Sequence, residues 1–153
     1  MRAPASLSAR LSRVARTAAL VLALAWIATE PANAAHAVYY RYTVLGFVRD
    51  ARERPLAGRP LELVREKTGF AYPGETDAKG FYLIVARLGD ESAGEPLTLK
   101  IERASTTLVA RFDPANHTDE RGTRVDIAGA TFVERRGSFP STLADALGPQ
   151  PPR

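Results

Sequence analysis

The chain has 153 residues, with 21 basic side chains, 17 acidic side chains and no cysteine. Without cysteine it can form neither a disulfide nor a thiolate metal site, and it has no thiol nucleophile. Four arginines and one acid lie in the first 34 residues, so the remaining chain is nearly neutral. Because nucleic-acid binding needs an unbalanced cluster of positive charge, we expect no nucleic-acid partner.

Residues 1–34 have the pattern of a cleavable signal peptide. Four arginines precede an apolar run over 17–28, and Ala32-Asn33-Ala34 is the small-x-small pattern that signal peptidase cuts. The apolar run is shorter than the ~20 residues that a membrane span requires. The sequence therefore predicts a periplasmic or secreted bacterial protein that keeps no membrane span after cleavage.

Short runs of alternating apolar and polar residues follow the signal. Along residues 38–50 the even positions are mostly apolar, which is typical of a strand with one buried face. Six further candidate strands lie at 61–63, 81–86, 97–102, 107–112, 125–127 and 131–134. Residues 81–86 are apolar on both faces, which predicts a central strand covered on both sides.

Clusters of proline, glycine and asparagine separate these runs. Proline fixes φ, and glycine or asparagine accepts positive φ, so such clusters favour chain reversal. The clusters lie at 54–58, 72–74, 79–80, 88–90 and 113–116. Short strands with turns at near-regular spacing are typical of a sandwich. We therefore predict an all-β domain over residues 35–134, a single seven-stranded Greek-key-type β-sandwich.

Residues 135–153 are predicted to form a C-terminal tail with one short helix. The helix would span 141–147, where two leucines lie one turn apart. Ser141 or Thr142 would be its N-cap, and Gly148 follows its last turn.

Three segments of the domain form a recognisable pattern. They are Val44-Leu-Gly-Phe-Val-Arg-Asp50, Arg54-Pro-Leu-Ala-Gly-Arg-Pro-Leu-Glu-Leu63 and Thr76-Asp-Ala-Lys-Gly-Phe-Tyr-Leu83. Over about residues 42–101 the chain resembles the carboxypeptidase regulatory-like family, whose fold is a transthyretin-like β-sandwich. The resemblance implies an accessory or binding module rather than an enzyme.

The residues of this pattern have roles in folding. Gly46 lies on the apolar face of the first strand, where a missing side chain would let the facing sheet approach. Pro55 and Gly58 would form the first hairpin connection. Asp77 can accept N–H groups of its own turn, and Gly80 can supply positive φ before the next strand.

Tyr39, Leu45 and Phe47 are the candidate binding residues. Alternation places them opposite the core face of the first strand. If that face is open, they form an apolar patch suited to a partner; if strands or the C-terminal segment cover it, they belong to a core. We predict a non-catalytic module, without a cofactor, that docks an envelope protein or a glycan through a sheet face or edge.

A metal-binding protein is one alternative. Asp113, Asn116, His117 and Asp119 gather oxygen and nitrogen atoms in one segment, and calcium binds several carboxylate and carbonyl oxygens. Their spacing is not that of an EF-hand, and acidic turns between strands are common. The loop is therefore either a metal site or an ordinary solvated turn.

A hydrolase is the second alternative, because 5-hydroxyisourate hydrolase is a related sandwich. That family has a histidine in a His-Val-Leu-Asp context, whereas this chain has Phe47-Val-Arg-Asp50. The segment Arg135-Arg-Gly-Ser138 is similar to the family's Tyr-Arg-Gly-Ser ending, but it lacks the tyrosine and continues for fifteen residues. Since water activation needs a base, we expect no enzyme of this kind.

Overall fold

A computed structural model describes residues 38–149, which form two four-stranded sheets packed as a β-sandwich. The strands are β1 (Tyr40–Arg49), β2 (Pro60–Arg65), β3 (Phe70–Glu75), β4 (Phe81–Leu88), β5 (Pro96–Ile101), β6 (Ala104–Val109), β7 (Arg121–Ala128) and β8 (Thr131–Glu134). The helix α1 (Phe139–Leu147) follows, and two 3₁₀ turns lie at Asp90–Ser92 and Arg136–Ser138. The predicted all-β class is confirmed. The predicted signal peptide lies outside the described residues.

The chain passes back and forth between the two sheets. Sheet one has the order β4-β1-β7-β8, and sheet two has the order β3-β2-β5-β6. Neighbouring strands are antiparallel except for β1 and β7, which run parallel. Strands β3 and β4 are therefore edge strands of different sheets. No helix within residues 38–149 combines the length and apolarity needed to cross a bilayer.

The core lies between the sheets, where alternation along the strands predicts it. Tyr42, Val44 and Val48 of β1 are buried, and they pack in one cluster with Leu63 and Leu99 of sheet two. Burying a side chain of this size contributes roughly 1.5–3 kcal/mol. This cluster packs the two sheets together and so fixes the position of the edge strands of one sheet relative to those of the other.

Two strand predictions are wrong. The structure has eight strands rather than seven, because Tyr72-Pro73-Gly74 lies within β3 instead of forming a turn. Proline is tolerated there because β3 is an edge strand, on which a missing N–H need not interrupt the ladder. The central strand predicted over 81–86 is also an edge strand, and its outward face is apolar partly because a helix covers it.

Gly46 is required by a contact different from the one expected. A Cβ at this position would overlap the carbonyl oxygen of Val125, which belongs to the neighbouring strand β7 and not to the facing sheet. Tyr82, which lies opposite Gly46 on β4, donates its hydroxyl to the same carbonyl at 2.7 Å. The Phe47 N–H donates to the carboxylate of Asp126 at 3.2 Å. The glycine therefore lets β7 approach β1 within one sheet.

The turn before β4 is held by side-chain and backbone geometry. The Asp77 carboxylate accepts the N–H groups of Lys79 and Phe81 at 2.8 and 3.0 Å. Gly80 has a φ of +73°, a conformation that an L side chain rarely adopts. Gly58 also has a positive φ, but the connection that contains it and Pro55 is not the predicted hairpin, because it joins β1 of sheet one to β2 of sheet two. These contacts fix the direction in which β4 starts.

The C-terminal helix starts earlier than predicted. It begins at Phe139, so Ser141 and Thr142 lie inside the helix and are not its N-caps. Their hydroxyls instead donate to the carbonyl of Ser138 at 3.2 and 2.7 Å. The helix ends at Leu147 and is followed by Gly148, its C-cap, which has a φ of +69°. The predicted end is thus confirmed and the predicted start is wrong.

Candidate functional site

The helix α1 covers one half of the outer face of sheet one. Phe139 and Leu143 pack against Leu45, and all three side chains are buried. Phe81 and Leu83 of β4 border this second, smaller core. Leu45 is therefore a core residue, which is one of the two outcomes that the sequence left open.

Phe47 and Tyr39 lie apart from each other. Phe47 is half-buried against Phe81, with ring centroids 5.3 Å apart, and the Arg124 guanidinium lies 5.1 Å from its ring centroid. It lines a groove of about 550 Å³ beside Thr142 of α1. Tyr39 precedes β1 at the other end of that strand and is exposed. The three candidate binding residues therefore do not form one continuous patch.

A different apolar surface lies where the edges of the two sheets meet, and we call it the edge patch. It consists of Tyr39, Phe70 and Tyr72 of β3, and Val85 and Arg87 of β4. Tyr39, Phe70 and Val85 are 53%, 60% and 39% exposed. The edge patch lines a groove of about 600 Å³. It is a concave surface with exposed large apolar side chains.

Strand alternation positions these side chains. Phe70 and Tyr72 are two residues apart and share one face of β3, with ring centroids 4.9 Å apart and planes tilted by 56°. On β4, Ile84 and Ala86 point into the core, so Val85 points outward. The Tyr72 hydroxyl donates to the Arg87 carbonyl at 3.3 Å and joins the two edges.

Phe70, Val85 and Arg87 are not recognisable as site residues from the sequence pattern. Phe70 was missed because β3 was not recognised; with that strand assigned, alternation would have placed Phe70 beside Tyr72. Val85 was missed because the apolar run containing it was assigned to a covered central strand. These residues meet in one groove because of how the two sheets are packed, and the local sequence pattern does not reveal that packing.

An ion pair lies beneath the edge patch. The Arg65 guanidinium, which also lines the groove, donates to both carboxylate oxygens of Glu95, at 2.7 and 2.9 Å, and to the Ser92 hydroxyl at 2.8 Å. Both charged side chains are only 10% exposed. The hydrogen bond from Arg65 lowers the pKa of Glu95 and outweighs the opposing effect of its burial. The charge of Arg65 is therefore balanced within the domain.

Arg87 has a different environment. It is exposed on β4 directly opposite Arg41 of β1. Arg41 pairs with Glu120 at 3.4 Å, whereas Arg87 forms no ion pair with any residue of 38–149. The edge patch thus combines exposed apolar side chains with one cation that has no counter-ion in the described part of the chain.

A second cluster holds the loop before β7. Asp90 accepts from Arg121 at 2.9 Å and lies 2.8 Å from Nε2 of His117. The His117 ring stacks on Tyr40 at 4.5 Å, and the Arg121 guanidinium lies between 4 and 5 Å from the ring centroids of Tyr40 and Phe112. Desolvation raises the pKa of Asp90, but hydrogen bonds from His117 and Arg121 outweigh it and lower the pKa overall.

The predicted metal ligands do not converge in this loop. Asp113 accepts the Ala115 N–H at 2.9 Å, Asn116 donates to Asp119 at 2.7 Å, and His117 faces Asp90 instead. Within residues 38–149, no three His, Cys, Asp or Glu side chains are placed to hold one ion. Asp113 and Asn116 therefore accept N–H groups of their own turn.

The segment 135–138, which is similar to the ending of the hydrolase family, lies between β8 and α1. Arg135 forms an ion pair with Asp126, with Nε 3.0 Å from the carboxylate, and Arg136–Ser138 forms the 3₁₀ turn that leads into α1. Phe47, Arg135 and Ser138 line a second groove, of about 450 Å³. The segment 135–138 therefore connects β8 to the helix.

Comparisons with known proteins do not identify a family for this chain. No family model matches the chain, and no curated protein matches it. Among solved structures, it is similar to the dioxygenase domain of a dioxygenase carbohydrate-binding protein fusion from the cellulolytic bacterium Streptomyces sp. SirexAA-E. The identity is 19%, 70% of this chain and 80% of that chain are covered, and the TM-score is 0.35. A likeness of this degree does not indicate a function.

Proposed function

We propose that this protein is a non-catalytic binding module that docks another protein through the edge patch. The observation that carries the proposal is the convergence of Tyr39, Phe70 and Val85, all exposed, in one groove between two sheet edges. Contiguous exposed apolar surface of this kind marks interaction sites on soluble domains. Aromatic side chains in such positions supply large contact area at low cost in conformational entropy.

The shape of the edge patch favours a protein over a glycan. A sugar ring stacks best on a flat aromatic surface. Here the Phe70 and Tyr72 rings are tilted by 56°, and Val85 offers only methyl groups. An uneven apolar groove suits the side chains of a protein segment.

We also propose that the sandwich is transthyretin-like and related to the carboxypeptidase regulatory-like family, and that the protein is exported. The family relation is supported by the turn motifs, since Gly58 and Gly80 have positive φ and Asp77 accepts two N–H groups of its own turn. Export is supported by the signal-like pattern of residues 1–34. An exported module of this kind would meet its partner in the cell envelope or outside the cell.

Photo-crosslinking in the host cell tests the binding role. A photoreactive phenylalanine analogue replaces Phe70 in the full tagged chain, and a second version carries it at Leu147, which is 56% exposed at the end of α1. We expect a discrete protein adduct from position 70 and none from position 147. Adding Val85→Asp to the position-70 chain should abolish the adduct.

Two results would oppose the proposal. One is the absence of any adduct from position 70; the other is the same adduct from both positions. In either case the edge patch would not be the docking surface. Circular dichroism of each variant establishes that the fold is retained.

A further inference from the structure

We infer that the protein partner presents a carboxylate beside an apolar side chain, and that Arg87 receives this carboxylate. The inference rests on the proposed function, because it assigns the chemistry of the partner at the edge patch. It is carried by the charge arrangement around the groove.

The first observation is a like-charged pair across two strands. Arg41 and Arg87 are directly opposed in the β1–β4 pairing and lie on the same outer face of sheet one. Like charges in this position destabilise an antiparallel pair. Arg41 has Glu120 as a counter-ion, but Arg87 has none within residues 38–149. A bound carboxylate at Arg87 would remove this repulsion.

The second observation is the composition of the groove. Among residues 38–149, its lining includes Arg65 and Arg87 but no acidic residue. Arg65 is already held by Glu95 through two hydrogen bonds. Arg87 is therefore the cation that a ligand can reach, and a guanidinium binds a carboxylate through two parallel hydrogen bonds.

The third observation is the position of Arg87 relative to the apolar side chains. It lies two residues from Val85 on the same face of β4, and its carbonyl accepts the Tyr72 hydroxyl. An acidic group at Arg87 would thus place neighbouring residues of the partner against Val85 and Phe70. Acidic and apolar side chains adjacent in the partner would match this surface.

A random-peptide phage library selected on the full chain provides the probe. We expect the enriched peptides to contain Asp or Glu next to an aromatic or aliphatic residue. One enriched peptide is then synthesised with its acid and with the matching amide, and its affinity is measured for the wild type and for Arg87→Gln. Each single change should weaken binding about tenfold, and the two together should weaken it little further.

Two variants control this measurement. Arg103→Gln removes an exposed arginine from the turn between β5 and β6, and it should leave the affinity unchanged. Arg87→Lys retains the charge but not the paired donors, so it should give an intermediate affinity.

The outcomes separate the inference from the proposed function. Peptides that depend on Phe70 but bind Arg87→Gln as tightly as the wild type would overturn the carboxylate inference and leave the docking role intact. If no peptide is enriched, both are overturned. Binding of the acidic polysaccharide polygalacturonate, lost in Arg87→Gln, would then indicate a glycan in place of the protein partner.

Discussion

The outer face of sheet one has a covered half and an open half. Apolar side chains point outward in both halves: Leu45 of β1 and Leu83 of β4 in the first, and Val85 of β4 in the second. In the first half, Phe139 of α1 closes over Leu45, whereas Val85 remains exposed. An outward apolar position on a strand therefore becomes core or surface according to what the rest of the chain brings to it.

The largest expected effect lies in the covered half. Phe139→Ala should lower the free energy of unfolding by about 3 kcal/mol, because it removes the aromatic ring that buries Leu45 and leaves a cavity. Urea denaturation followed by circular dichroism measures the change. Leu147→Ala, at an exposed position of the same helix, should cost far less, about 0.5 kcal/mol. Equal losses from the two variants would mean that the helix does not seal this half.

Beneath the edge patch, which adjoins the open half, the ion pair of Arg65 and Glu95 should contribute the next largest effect. Glu95→Gln should destabilise the protein by about 2 kcal/mol, because it leaves the largely buried Arg65 charge without a counter-ion. The matched control is Glu102→Gln, which removes an exposed partner of Arg59 and should change stability by less than about 0.5 kcal/mol. A similar loss in both variants would show that burial does not distinguish the two pairs.

The same pair predicts a pH dependence. The pKa of Glu95 is lowered in the folded protein, so the stability it provides is fully present above the ordinary glutamate pKa of 4.5 and is lost as the pH falls through the lowered value. The stability difference between wild type and Glu95→Gln should therefore be constant near neutral pH and shrink in acid. Urea titrations between pH 7 and pH 3 measure it. A difference that grows in acid would reverse the assigned sign.

The smallest expected effect on stability belongs to the edge patch, which joins Val85 of the open half to Phe70 of sheet two. Phe70→Ser should change the free energy of unfolding by no more than about 0.5 kcal/mol, because the ring is largely exposed. The same substitution should abolish partner binding if the edge patch is the docking surface. A loss of stability as large as that of Phe139→Ala would place Phe70 in a core and remove the contrast between the halves.

Local alternation predicts the parts of this fold that depend on one strand at a time. It assigns the core face of β1 correctly, because the even positions from Tyr42 to Val48 are apolar and buried. It fails at β3, since Pro73 and Gly74 resemble a turn and only the edge position of that strand makes them acceptable. When a residue is acceptable in a strand only because of the position of that strand in the sheet, the neighbouring sequence does not reveal the strand.

The candidate site depends on contacts that are distant in the sequence. Tyr39 could be recognised as an exposed aromatic, but its neighbours Phe70 and Val85 come from edge strands of two different sheets. Likewise, the burial of Leu45 depends on a helix almost one hundred residues later in the chain. Period-two patterns predict which way a side chain points, and they do not predict what it meets.

Gly46 and Tyr82 are opposed in the β1–β4 pairing, and both meet the carbonyl of Val125. The tyrosine thereby crosses over β1 to reach β7, and it can do so only because the intervening residue has no side chain. The two positions should consequently covary during evolution: a homologue with a larger residue at 46 should also lose the tyrosine at 82. Such paired replacement in an alignment would be a signature of this strand arrangement even where overall identity has become too low to detect.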